Sequence, residues 1–175
     1  MTGTVIWTIG HSTHSIDNFI ALLTSHQIST LVDVRRFPGS KRLPQFNKLA
    51  LSESLTAAGI KYIHLPDLGG RRSVSANSRN TGLVNAGFRG YADYMESEAF
   101  TQGIDRLLEL AGESRTAIMC AEALWWRCHR SLISDHLLSK QMDVVHILST
   151  GKTEAHHYTS AAMIIDGELT YPGLV

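Results

Sequence analysis

The residues best suited to chemistry crowd into one stretch, Ala117–Arg130. It holds both cysteines of the chain, Cys120 and Cys128, with Glu122, His129, Arg127, Arg130, Trp125 and Trp126. A thiol becomes a nucleophile when cations or a helix N-terminus lower its pKa. Cys120 follows the apolar run Ala117–Met119 and is the candidate nucleophile or redox thiol, with Arg127, Arg130, His129 and His11 as its electrostatic field. The plainer reading of Cys120 is a small buried residue at a strand end. Glu122 or His11 would serve as base, although Glu122 can equally pair with an arginine. Cys128-His129-Arg130 opens a helical pattern, and its backbone amides and dipole favour an anion. Arg130 adds a fork suited to phosphate or carboxylate. The same three residues can instead do no more than cap the helix.

Three other clusters follow strand-like runs. Gly10-His11-Ser12 lies after the first, Asp33-Val34-Arg35-Arg36 after the second, and Leu68-Gly69-Gly70-Arg71 after the third. Asp33 and Arg35 stand two apart, hence on one strand face, with Val34 and Arg36 pointing the other way. They make a buried pair that orients a site, or a plain ion pair. Gly69 and Gly70 let backbone approach a ligand, or form a tight turn. Ser12 belongs to the first cluster, which lacks the glycine spacing and lysine of a phosphate loop. The spacing from Cys120 to Arg127 is one residue too long for a tyrosine-phosphatase loop. Cys120, Cys128, His129 and His11 could in principle form a Cys/His zinc set. No Cys-x2-Cys or His-Glu-x-x-His supports it, so no metal site is assigned. Trp126, beside Trp125, would stack a base or cover the pocket. His156-His157-Tyr158-Thr159 is a tail motif within reach of no assigned partner.

The elements that must position these residues alternate. Strands are expected at Val5–Ile9, Thr30–Val34, Ile60–Leu65, Arg115–Cys120 and Val144–Leu148. Helices are expected at Ser15–His26, Asn47–Ala58, Tyr91–Met95, Phe100–Leu110 and Cys128–Lys140. Alternation of this kind implies right-handed crossovers and a parallel sheet. Ser73–Gly90 lacks pattern and is long enough for a lid or mobile loop. Ala161–Tyr171 reads as a hairpin turning at Asp166-Gly167. The expected fold class is α/β: a single-domain three-layer α-β-α arrangement over 1–175, with a core at 4–150. It has a mostly parallel five-stranded sheet and a C-terminal β-hairpin appendix at 156–175. In such sheets ligands bind beyond the carboxyl ends of the strands. That rule gathers all four clusters at one end.

Composition narrows the partners. Sixteen basic residues balance sixteen acidic ones, so a general grip on nucleic acid or anionic membrane is not indicated. A local basic patch stays open. No apolar run approaches the ~18 residues of a membrane span. The opening Met1-Thr2-Gly3-Thr4 lacks the features of a signal peptide. A cytoplasmic setting is expected, with two free thiols.

Taken together, the motifs resemble domain-of-unknown-function family 488 (DUF488). The residues that carry the likeness are Thr8-Ile9-Gly10-His11-Ser12, Asp33-Val34-Arg35 with Pro38, Leu68-Gly69-Gly70, Gly87-Phe88-Arg89-Gly90-Tyr91, and Met119-Cys120-Ala121-Glu122 with Cys128-His129-Arg130. They run in order from Thr8 to about Leu148, and the tail from His156 to Pro172 looks like that of the longer members. The resemblance implies a small α/β protein and brings no reaction, cofactor or substrate. The functional expectation therefore rests on the residues: an enzyme whose Cys/Arg-rich pocket binds a small anionic ligand or nucleotide. The alternative is a non-catalytic module for a nucleotide or nucleic-acid end. The candidate catalytic residues are Cys120, Glu122 and His11. The candidate binding residues are Ser12, Asp33, Arg35, Gly69, Gly70, Trp126, Arg127, Cys128, His129 and Arg130.

Overall fold

The computed structural model describes residues 3–173, so Met1 and Thr2 of the expected N-terminus and Leu174 and Val175 of the expected tail lie outside the described residues. Five strands run parallel: β1 (Val5–Gly10), β2 (Thr30–Asp33), β3 (Lys61–His64), β4 (Thr116–Cys120) and β5 (Asp143–Ile147). A sixth, β6 (Thr153–Ala155), adds antiparallel to β5, giving the order β3-β2-β4-β1-β5-β6. The expected five-stranded sheet is thus six-stranded. At three residues, β6 is too short to show the alternation that marks a strand.

Five helices complete the fold: α1 (Ile16–Ser25), α2 (Lys48–Ala57), α3 (Ala86–Tyr94), α4 (Glu98–Glu113) and α5 (Arg130–Ser139). Alternate strand residues feed two cores. Ile9, Leu31, Ala117, Met119 and Ile147 pack with Phe19 and Leu23 of α1 and Leu51 and Leu55 of α2. Ile6, Val32, Ile118 and Val144 pack with Tyr91 of α3, Leu107 of α4 and Leu132 and Ile133 of α5. The sheet is therefore buried on both faces, as parallel sheets are.

Local signals set the ends. The Ser15 hydroxyl accepts the Asn18 N–H at 3.1 Å and caps α1. Gly59, at φ +79°, lets the chain leave α2 in the left-handed conformation. Asn47 precedes α2 but does not cap it with its side chain; its Oδ1 accepts the Ser40 N–H instead. The hairpin forms as β7 (Met163–Ile165) and β8 (Glu168–Thr170), with Asp166 at φ 52° and Gly167 at φ 80°. Two left-handed residues in succession are what a two-residue hairpin turn requires.

Two expectations change. Ser73–Gly90 is not a free lid. Its last residues begin α3, and the rest is tied down by Asp93, which accepts from the Ser75 N–H, the Ser78 hydroxyl and the Asn80 amide at 2.7–2.8 Å. Two glycines in nine residues hid the helix. The stretch expected as a helix from Cys128 starts at Arg130, because Trp125–Arg127 forms a separate 3-10 turn. Among the described residues no helix is long and apolar enough to cross a membrane.

Candidate functional site

The carboxyl ends of β1, β2 and β4 open onto a cavity of about 520 Å³. His11, Arg35, Gly70, Cys120, Glu122, Arg127, Cys128 and His129 line it, so eight of the expected residues come together. Ser12, Asp33, Gly69, Trp126 and Arg130 do not line it, and each has another place.

Gly10 shows how the floor is built. A Cβ there would sit 1.8 Å from the carbonyl oxygen of Glu122. Only glycine lets the end of β1 abut the loop that follows β4. The His11 and Ser12 N–H groups then donate to Cys120 O and Ala121 O at 2.9 Å, extending the pairing past both strands. Ser12 contributes backbone here, at φ 49°. Gly69 plays a similar part, since a Cβ would lie 2.7 Å from Arg36 Cα. Gly70 leaves room for His129 Nδ1, which a Cβ would approach at 3.1 Å.

Asp33 is fully buried and grips Arg35 with both oxygens. Oδ1 accepts Arg35 Nε at 2.9 Å, and Oδ2 accepts Nη2 at 2.7 Å and the Tyr62 hydroxyl at 2.6 Å. Burial, reinforced by the Asp33 charge, holds the Tyr62 hydroxyl protonated well above its usual range. Arg35 Nη1 reaches His11 Nε2 at 3.4 Å. His11 lies flat against Phe46, with ring centroids 4.3 Å apart, and its Nδ1–H donates to Ser12 O at 2.8 Å. Burial, and next Arg35, lower His11 to about 4. Both nitrogens of this neutral ring are engaged, so it is poorly placed as the base expected from sequence. Arg36 lines the same cavity, not the opposite face. β2 has already ended at Asp33, and strand alternation no longer applies. Arg71, from the loop after β3, joins Arg35, Arg36 and Arg127 in the wall. Neither Arg36 nor Arg71 was among the expected site residues, although their arginine-rich motifs were visible.

The two thiols differ in state. Cys120 Sγ lies 3.6 Å from Glu122 O, an acceptor that favours the protonated form. Burial first, then the neighbouring Cys128, push Cys120 well above the ordinary thiol range. Cys128 sits just before α5, with the Arg130 N–H directed at its sulfur at 3.5 Å. Burial opposes its ionisation. The neighbouring Cys120 thiol and the charge and N–H of Arg130 outweigh that and bring it down to about 7. Of the two sulfurs, Cys128 has a backbone N–H donor directed at it and Cys120 a carbonyl acceptor beside it. The thiols are not joined in a disulfide. His129 faces Cys128. Its Nε2–H donates to Val34 O at 2.9 Å, which leaves Nδ1 as an acceptor 3.5 Å from the Cys128 sulfur. Burial keeps His129 below its ordinary pKa, hence neutral. Substituting Gly70→Ala should crowd this nitrogen and slow the reaction of Cys128 with iodoacetamide about tenfold, by the usual cost of displacing a reacting group. Equal rates in the two proteins would show that His129 does not assist the thiol.

Arg130 is not available to a substrate, contrary to its expected role. It is 1% exposed. Nη2 donates to Glu122 O at 2.7 Å and Nη1 to Thr8 Oγ1 at 3.1 Å. Sequence could not show that backbone carbonyls consume the fork. Thr8 continues a buried chain: its hydroxyl meets His146 Nδ1 at 2.6 Å, His146 Nε2 meets His156 Nδ1 at 2.9 Å, and His156 Nε2 meets Asp135 Oδ1 at 2.8 Å. Asp135 only accepts, so every donor in the chain points from Arg130 towards it. Asp135 also accepts from Thr159 and Tyr171, which ties the tail to the core. His156 thus serves this network and does not line the cavity. Trp126 lines a second cavity on the far side of Phe88. Among the described residues no cluster of three or more His, Cys, Asp or Glu could hold a metal ion.

Comparison with known families adds one finding. The family model described as "Domain of unknown function DUF488" matches residues 15–137. The chain belongs to this family. The DUF488 match spans the elements that carry Arg35, Gly70, Cys120, Cys128 and His129, while β1 with His11 precedes it and the buried His146–His156 pair follows it. No curated protein and no solved structure matches the chain. The family description carries no activity, so function has to come from the site.

Proposed function

We propose that this DUF488 protein is a cysteine-dependent enzyme acting on a small anionic substrate, with Cys128 as the nucleophile. The observation that carries the reading is the Cys128 sulfur, held by the Arg130 N–H at the start of α5 in a cavity that also presents Arg35, Arg36, Arg71 and Arg127. Among the described residues no carboxylate lies within ion-pair distance of Arg130. The charge of that buried cation favours a thiolate at Cys128.

Roles follow from position. His129 Nδ1, 3.5 Å from the Cys128 sulfur, is placed to pass the thiol proton on towards solvent, the resting ring being neutral. Cys120 directs its S–H at Glu122 O and stays protonated. The four cavity arginines hold the anionic group of the substrate. Asp33 and His11 act at one remove, by fixing Arg35. Glu122, exposed at the cavity wall, is placed to activate the water that releases the product.

The test uses a panel of small anionic acyl, phosphoryl and alkyl donors, with intact-mass and peptide mass spectrometry. A covalent adduct on Cys128, absent in Cys128→Ser and reduced in Arg127→Ala, is expected. Adducts confined to Cys120, or Cys128 adducts untouched by Arg127→Ala, would contradict the reading.

A further inference from the structure

The second cavity, about 580 Å³, is built differently from the first. Trp125 forms one wall, with the His146 ring stacked on it at 4.4 Å. Trp126 and His157 stand nearly perpendicular to Trp125, at 89° and 88°, with centroids 5.5 and 5.8 Å from it. Tyr158 and Phe88 complete the aromatic lining. Trp126 and Tyr158 remain 48% and 37% exposed, a large aromatic area for a protein surface to leave open.

The charge of this cavity is also different. No lysine or arginine lines it, and its single carboxylate is Glu154. Glu154 Oε2 accepts the Trp125 indole N–H at 3.3 Å, and among the described residues no cation pairs with it. Trp126 and Tyr158 expose ring surface at this cavity, and the buried Trp125 backs it. Those faces carry negative quadrupole potential, and a carboxylate beside them adds full charge. Such an arrangement selects a large, weakly hydrated cation over an anion or a neutral ring.

We infer that the cavity between Trp125, Trp126, His157, Tyr158 and Glu154 is a binding site for an alkylated ammonium group. The inference does not depend on the chemistry of Cys128, since no residue of the thiol site takes part. Phe88 alone lines both cavities. A ligand with an ammonium end and an anionic end could therefore reach from one to the other.

Direct binding decides the matter. Choline chloride is titrated into the full-length protein at constant ionic strength, followed by tryptophan fluorescence and calorimetry. The neutral isostere 3,3-dimethyl-1-butanol and adenosine are titrated in parallel. Saturable choline binding is expected, with the isostere at least about tenfold weaker, since it lacks the charge that the rings attract. Trp126→Ala and Glu154→Gln should each weaken choline about tenfold. Both side chains are at least partly exposed, so the variants should keep the wild-type fold, checked by circular dichroism. Equal binding of choline and isostere would overturn the proposal in favour of a plain apolar pocket. Adenosine binding without choline would overturn it in favour of a base-stacking site. No saturation by choline would overturn it outright.

Discussion

Asp33→Ala is expected to destabilise the protein by about 3–5 kcal/mol, the cost of leaving a buried ion-pair partner uncompensated. Asp33 has no solvent exposure and the Arg35 side chain only 11%. Deleting the carboxylate strands the guanidinium and also orphans the Tyr62 hydroxyl, which donates to it at 2.6 Å. Arg35 would then leave His11 and swing towards water, spoiling one wall of the cavity. The double variant Asp33→Ala/Arg35→Met should recover part of the loss, because no unpaired charge stays buried. Urea unfolding of the two variants checks this. A single variant within ~1 kcal/mol of wild type would mean that the pair is as solvated as an ordinary surface ion pair.

A second large effect is expected in acid. Burial lowers His11 and His136 to about 4 and His146 to about 2, aided at His11 by Arg35, at His136 by Lys140 and at His146 by His156 and Arg130. In the unfolded chain the same rings take up protons near pH 6.5. Between pH 6.5 and 4 the unfolded state therefore binds up to three more protons than the folded one. Their contribution to stability is fully present above pH 6.5 and is lost as the pH falls towards 4. Three protons correspond to a slope of up to about 4 kcal/mol per pH unit near the middle of that window, large against a typical total of about 5–15 kcal/mol. Urea midpoints at pH 7 and pH 5 should differ accordingly, and His136→Gln should flatten the slope by about one proton. A midpoint independent of pH over this range would show that the histidines are not held neutral.

Much of this was legible from sequence where local pattern and local chemistry coincide. The five parallel strands and the cavity at their carboxyl ends followed from apolar runs that stop at polar clusters. Asp166-Gly167 announced its turn, and the Asp33–Arg35 pair formed as expected. What was hidden depends on contacts distant in the chain. Cys120 and Cys128 look alike in sequence. They part only because Glu122 O faces one sulfur and the Arg130 N–H faces the other. Arg130 looked like a ligand because its bonds to Thr8 and Glu122 carry no sequence signal. Thr8, His146, His156 and Asp135 are scattered over four elements and meet only after folding. Trp126 drew attention for the right property, an exposed aromatic face, but it lines the other cavity.

We propose Cys128, not Cys120, as the thiolate. Alkylation of each cysteine by iodoacetamide across pH 5–10, read by peptide mass spectrometry, tests it most directly. Cys128 is expected to react faster, with a rate that rises through a midpoint of about 7 and then levels, while Cys120 stays slow throughout. Faster reaction at Cys120, or a Cys128 midpoint at or above the ordinary thiol value of about 8.5, would contradict it.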